Sequence, residues 1–352
     1  MHFLIHVHER RVKMAEITTD HKANELKEPE KIELEKKQHM VFLRNTKSII
    51  GLSIFTFFIL VAIFGPLLAP FDPNKTSALA NAAPSTQHWL GTTNVGQDIF
   101  SQIIIGTRGV MVVSLSTGLI ATVLAAVIGV SAGFLSGWGD EILSMLTNIF
   151  LVIPGLPLII IIMGTMTNAG LAAIVLVISF TGWAWGARVL RSQTMSLRTR
   201  DFVEAARASG ESRLRIIIFE ILPNLTAILA STFIGTVTAA IMSLVTLSYI
   251  GIIPPSDWSW GTVLYYAQNN GAFTSGQWWW YAPAGLCVAF LGMSLALINF
   301  GIDEFVNPRL RNTGMNAKIL KRRGVRPRVG FTPIANSNRD NQGHLIKKKE
   351  AH

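Results

Sequence analysis

Cysteine, histidine and charge are scarce in this chain in the places where chemistry would need them. Its one cysteine, Cys287, cannot form an intrachain disulfide and sits in an apolar stretch, where a lone thiol serves packing. The eight histidines stand at 2, 6, 8, 21, 39, 88, 344 and 352, all outside the long apolar stretches, so a membrane-embedded metal site or Ser-His pair lacks its imidazole. There is no G-x-x-x-x-G-K-S/T phosphate loop, no H-E-x-x-H and no G-x-S-x-G. We therefore assign no catalytic residue, no metal ligand and no cofactor to the chain. Charged residues make up 15% against 50% apolar, too greasy for a soluble protein of 352 residues. Ionisable groups are nearly absent from the apolar stretches, with Arg188 at the edge of one. A proton-coupled carrier needs such groups in the bilayer. A Na⁺-coupled carrier acting alone, holding its ion on backbone carbonyls, remains the alternative from another class.

What is present is length in apolar runs. Six stretches, 49–68, 110–135, 142–163, 171–189, 227–250 and 281–300, match the ~20 residues a helix needs to cross a ~30 Å hydrocarbon core. Internal breakers such as Pro154-Gly155-Leu156-Pro157 are tolerated where neighbouring helices satisfy the freed backbone groups. The fold class is an all-α membrane protein with six transmembrane helices.

Basic residues set the orientation. Lys36, Lys37, Arg44 and Lys47 precede the first stretch. Arg191, Arg198, Arg200, Arg207, Arg213 and Arg215 separate the fourth from the fifth. Arg309, Arg311, Lys318, Lys321, Arg322 and Arg323 follow the sixth. Both termini are then cytoplasmic in a multi-pass plasma-membrane protein. The turn at 137–141 is cytoplasmic too, although it carries Asp140 and Glu141 and no base; acids influence orientation little. The basic excess flanks the membrane, so anionic lipid is its partner. The segment 318–328 lacks the interleaved aromatics of a single-strand binder, and no nucleic acid is implied.

The segment between the fourth and fifth stretches reads Glu204-Ala205-Ala206-Arg207-Ala208-Ser209-Gly210 and runs on to Leu222-Pro223. Leu214, Ile217, Ile218, Ile221 and Leu222 follow the spacing of a helix with one buried face. Gly210 falls where a chain leaving a helix often needs a positive φ. The expectation is helix, turn, helix, with the small Ala205 and Ala206 against a partner wall. These residues resemble the EAA loop of ABC-importer permease subunits, E-A-A-x3-G followed by a Leu-Pro pair, with Glu220 where the pattern has Ile. His88-Trp89-Leu90-Gly91-Thr92-Thr93-Asn94-Val95-Gly96-Gln97-Asp98 is similar to the H-P-L-G-T-D-x-x-G-R-D stretch of the C-type permease of oligopeptide and dipeptide importers. Trp89 replaces the Pro, Thr93 the Asp and Gln97 the Arg. Asn299-Phe300-Gly301-Ile302-Asp303 and Asn307-Pro308-Arg309-Leu310-Arg311 are similar to that family's F-G-D…D-P-R-L-R ending.

The resemblance implies a type I ABC-importer permease fold over 45–312, with a coupling loop at about 201–224. Glu204, Ala205, Ala206, Gly210, Leu222 and Pro223 would dock on an ATPase subunit. The partners implied are a second homologous permease, two ATPase subunits that carry ATP and magnesium, and an extracellular solute-binding protein. The cargo implied is oligopeptides or dipeptides, with oligosaccharides or nickel chelates as alternatives. Outside that span lie a cytoplasmic arm, 1–44, in which Met14 is a plausible alternative start and residues 1–13 look dispensable, and a basic tail, 313–352, too poor in apolar residues to fold.

Among polar residues within the stretches, Asn148 is the best candidate to line a pathway, because an amide is costly against lipid. The loop 251–280 is rich in aromatics, which serve mainly as interfacial anchors. Its Trp278-Trp279-Trp280 run is a candidate contact for the binding protein, or a sugar-stacking surface.

The charge count predicts the labelling pattern of single cysteines placed in a Cys287-free background. Position 270 should react with an impermeant reagent from outside, and positions 205 and 325 only from inside. External labelling at 205 would overturn the orientation.

Overall fold

The structure, a computed structural model, describes residues 46–166, 170–253 and 258–306. The arm 1–44 with Met14, the tail 313–352 and the ending at 307–311 lie outside them, and the compact unit closes at Phe305. The described residues form helices α1 (Thr46–Leu68), α2 (Ile99–Phe134), α3 (Trp138–Val152), α4 (Gly155–Thr165), α5 (Leu171–Leu197) and α6 (Asp201–Ala208). There follow α7 (Arg213–Arg215), a π-helical turn (Ile216–Ile221), α8 (Leu222–Tyr249), α9 (Trp260–Asn269) and α10 (Trp278–Val306). Five elements are long and apolar enough to cross a membrane: α1, α2, α5, the run from α7 through α8, and α10.

The third expected span is not one helix. It breaks between Val152 and Gly155, and α3 and α4 meet at 83°. Ile153 is extended, with φ −74 and ψ 125, as the residue before a proline prefers, and Pro154 offers no N–H to continue the ladder. The pair still runs from one end of the bundle to the other. Asp140, at the start of α3, is bound by Arg191 near the end of α5. Phe150 packs on Phe180 and Trp183 midway along α5. Ile159 and Met163 of α4 share a core cluster with Ile174 and Ile178 at the start of α5. The bent pair therefore makes the sixth crossing.

Two core clusters divide the bundle along its length. One, at the Trp-rich end, gathers Ile99, Val110, Ile174, Leu247, Trp260 and Leu291. The other, at the Arg-rich end, gathers Ala125, Val130, Phe134, Leu190, Ile221 and Leu225. Helices α2, α5 and α8 contribute to both. The joint between α2 and α5 is made by small residues. A Cβ on Gly129 would lie 2.4 Å from the Ala187 carbonyl oxygen, and one on Gly186 would lie 3.0 Å from the Ala125 Cβ. In a membrane, where lipid is as apolar as leucine, such close approach is what holds helices together.

Helix α2 begins eleven residues before the expected stretch at 110, because Asp98 caps it. The Asp98 carboxylate accepts from the Ser101 N–H at 2.8 Å and the Ser101 hydroxyl at 2.7 Å. The aromatic loop 251–280 is not a loose belt of anchors. It contains α9, capped by Ser259, whose hydroxyl accepts from the Thr262 N–H. Trp260 is fully buried against Phe58, and its indole N–H donates to Thr107 at 3.2 Å.

Gly129→Val should force α2 from α5 and lower the thermal midpoint of the purified protein, since overpacking a tight joint costs about 1–3 kcal/mol. Gly182→Ala, on α5 where no heavy atom lies within 4 Å of the added methyl, should leave the midpoint unchanged or raise it slightly. Equal midpoints for the two variants would remove the joint from its central place.

Candidate functional site

The segment after α5 is built outward from its last turn. The Arg198 guanidinium donates to the carbonyls of Gly133 and Leu135, at 3.2 and 2.9 Å, and so caps the end of α2. Arg200 is extended, with φ −83 and ψ 149, and α6 starts at Asp201. Asp201 and Glu204 occupy its first turn and Arg207 its last, the arrangement the helix dipole favours. Val203 is the one fully buried residue of α6 and anchors it to the Arg-rich core.

The turn that follows is a Schellman motif. The Gly210 N–H donates to the Arg207 carbonyl at 3.0 Å and the Glu211 N–H to the Ala206 carbonyl at 3.1 Å. Gly210 sits at φ +79, where a β-branched residue is strained although nothing crowds the position. Ser212 caps α7, and Glu211 pairs with Arg215 at 2.8 Å on the surface.

The expected apolar stripe holds in part: Ile221 is buried and Ile217 and Leu222 are half-buried against the Arg-rich core, but Leu214 and Ile218 are off the buried face. Leu214 is 72% exposed and Ile218 is 50% exposed, while Ile216 and Ile221 are buried. The reason is the π turn, closed by the Leu222 N–H on the Ile217 carbonyl. Two residues five apart then point the same way, which a 3.6-residue period does not foresee. Pro223 supplies the cause: its ring would clash with the carbonyl four residues back, and a widened turn relieves this. The amide of Asn224 donates to the Glu220 carbonyl at 2.7 Å.

Glu204 and Ala205 are exposed, and Ala206 is half-buried against the chain's own core, so that only the first two present themselves fully to a partner. Gly210 and Pro223 are exposed and Leu222 half-buried. Beside α6 lies a recess of about 450 Å3, edged by Phe134, Arg198, Glu204, Arg207, Glu211 and Arg213. The Arg207 guanidinium lies over the Phe134 ring at 5.3 Å. The Glu204 carboxylate makes no hydrogen bond or ion pair among the described residues, and is available to a donor from elsewhere. The arrangement suits recognition of a surface, with exposed charges on a rigidly seated helix, and not bond-making chemistry.

Asn148, on α3, accepts from Arg188 at 2.9 Å and borders a shallow apolar groove with Met145, Ile149 and Val152. Of the three consecutive tryptophans, Trp278 is 56% exposed, Trp279 is half-buried and Trp280 is 1% exposed. Trp280 is thus closed to direct contact with a large partner, because the start of α10 turns it inward. The segment 88–98 folds on itself. His88 and Asp98 are buried and joined at 2.8 Å. Thr93 and Gln97, standing where the resembled pattern has an acid and a base, still bridge: the Thr93 N–H donates to the Gln97 carbonyl at 2.9 Å and the Gln97 N–H to the Thr93 hydroxyl at 3.1 Å. Two contacts had no signal in sequence: the Arg191–Asp140 fork, at 2.7 and 2.8 Å, and the Arg198 cap, both spanning more than fifty residues.

Residues 125–312 match the family described as binding-protein-dependent transport system inner membrane component, and residues 40–84 match the N-terminal TM domain of oligopeptide transport permease C. The oligopeptide transport system permease protein OppC of Mycobacterium tuberculosis is 34% identical over 289 residues, covering 81% of this chain and 95% of the relative. OppC of Bacillus subtilis is 32% identical over 277 residues, 77% of this chain and 88% of the relative. A solved structure of the MetNI methionine ABC transporter, inward facing, is similar at TM-score 0.46 and 19% identity, over 57% of this chain and 93% of that chain. With more than half its length in one family match and these relatives spanned almost end to end, the chain belongs to the binding-protein-dependent transport system inner membrane components.

Proposed function

We propose that this chain is one permease subunit of an ATP-driven importer of oligopeptides, and that α6 with the turn at Gly210 is the element an ATPase subunit grips. The observation that carries the reading is the seating of α6. Val203 fixes it to the core of α2 and α5, while Glu204 and Ala205 stay exposed. A helix that is rigid toward its own bundle and bare toward solvent can deliver a push. The peptide assignment is supported by the two OppC relatives. The basic segments support a cytoplasmic position for α6 and for both termini.

In this mechanism the chain hydrolyses nothing. ATP and magnesium are held by two ATPase subunits, a second permease completes the pathway, and an extracellular solute-binding protein delivers the cargo. Closure of the ATPase pair moves α6 and shifts the bundle between two states of access.

Ala205→Trp adds bulk on the exposed side of α6 without entering the chain's own core. Gly210→Val strains the turn by about 1–3 kcal/mol. Both should leave the membrane helices folded, weaken co-purification of the ATPase and abolish stimulation of ATP hydrolysis by the loaded binding protein. A docking loss of ~3 kcal/mol would weaken the interface over a hundredfold. Normal docking and stimulation in both variants would remove this element from the coupling role.

A further inference from the structure

At the Trp-rich end, opposite α6, a recess of about 290 Å3 opens between the loop before α2, helix α9 and the start of α10. Its polar wall consists of Asn74, Asn94, Gln97, Gln102 and Asn270, and its aromatic wall of Trp258, Tyr266 and Trp280. Among the described residues, no lining side chain is charged. The carboxamides are held in place by one another. Gln102 donates to Gln97 Oε1 at 3.0 Å, Asn94 donates to Asn270 Oδ1 at 2.6 Å, and the Trp258 indole N–H donates to Asn74 Oδ1 at 3.0 Å. Gln102 is 1% exposed, so an amide has been carried into the interior to face this space.

Trp280 breaks the pattern of satisfied groups. It is 1% exposed, yet its indole N–H has no acceptor among the described residues. Trp258 and Trp260 both have one, whereas the N–H of the adjacent Trp279, which does not line the recess, also lacks one. Three residues before it, at the same turn, the buried Gln277 Oε1 has no donor. Buried donors and acceptors are rarely left unpaired, because the loss of water is then uncompensated. Of these groups the Trp280 N–H is the one on a side chain that lines the recess, and the acceptor it lacks is one that a peptide carbonyl can supply.

The chemistry narrows the ligand. The described wall offers no charge to a free carboxylate or ammonium, which favours the interior of a peptide over its ends. A sugar would need an open aromatic face. Here Trp280 is buried, Trp258 and Tyr266 are half-buried, and these last two pack on each other with ring centroids 5.9 Å apart. What remains accessible is a set of amide edges, and primary amides match backbone N–H and C=O groups with both donor and acceptor. We propose that this recess is a subsite for the uncharged backbone of an extended peptide, with a carbonyl oxygen accepting from the Trp280 N–H. This rests on the peptide-importer reading and on the outward position of this end.

The test uses the assembled complex in nanodiscs, without binding protein, and a penta-alanine blocked at both ends and carrying a photoreactive diazirine. Saturable labelling within 94–102 and 258–270 is expected. Trp280→Phe, which removes the N–H and keeps an aromatic ring, should weaken labelling about tenfold. Asn94→Ala, at the exposed rim, should weaken it less and guards against a folding defect in the first variant. Displacement by maltotriose but not by unlabelled blocked penta-alanine would overturn the peptide assignment. Protection by unliganded binding protein with no saturable peptide labelling would make the recess a protein contact and overturn the subsite. Absence of saturable labelling in complexes that import peptide with their binding protein would refute the subsite while leaving the importer reading intact. If the same complexes import no peptide at all, the importer reading falls, and this proposal with it.

Discussion

The close approach of α2 to α5 is the constraint on which the rest of the structure depends. Gly129 faces the backbone of Ala187, and Gly133 faces the backbone of Arg191 and the side chain of Thr194. Large side chains along this line would hold the helices apart and dissolve the Arg-rich cluster they share with α6 and α8. Because hydrophobicity drives no association inside a bilayer, the stability of the joint comes from van der Waals contact at short range. It is therefore sensitive to single methyl groups. The end of this joint also sets where the chain leaves α5, since Arg198 reaches across to cap α2 only while the two helices are in contact.

How far the structure could be read from sequence depended on the period of each signal. Long apolar runs report burial in lipid whatever the packing, so all six crossings were visible. The break at Ile153-Pro154 was marked by its proline, but its angle follows from what α4 packs against, chiefly Ile174 and Ile178. The Gly210 turn was legible, because one residue type tolerates φ +79 cheaply. The buried face beyond it was legible for Ile217, Ile221 and Leu222 but not for Leu214 and Ile218. The π turn before Pro223 brings Ile216 and Ile221, five residues apart, to one side, a pairing that a 3.6-residue stripe does not include. In the loop 251–280 the aromatics suggested a membrane edge. Only the tertiary structure shows that Trp260 and Trp280 turn inward while Trp278 stays out.

Arginines in the segment after the fourth apolar run carry two separate burdens. Arg191 binds Asp140 through both carboxylate oxygens, which explains how an acid comes to sit at a turn that the charge pattern assigns to the basic side. Arg198 is spent on backbone carbonyls. Both are fixed within the chain, Arg191 by a forked geometry that a lysine could not reproduce and Arg198 by one nitrogen shared between two carbonyls. Glu204 and Ala205, by contrast, are left facing outward. The segment thus separates residues that hold it from residues that can be offered to a neighbour.

Helix α2, 36 residues and about 54 Å long, passes unbroken through both core clusters. Helix α5 does the same over 27 residues. Neither contains a proline, so the joint they form behaves as one stiff member from the seat of α6 to the buried Trp260 and its neighbours. The α3–α4 pair differs: its break at Pro154 leaves backbone groups outside a continuous ladder, and its packing changes cluster at that point. In the proposed coupling mechanism, a displacement applied at α6 would travel along α2 and α5 as a rigid tilt and be taken up by the crossing that already has a bend. That division between stiff and bent crossings is what the proposed rocking between two arrangements would require if both cores are to stay intact.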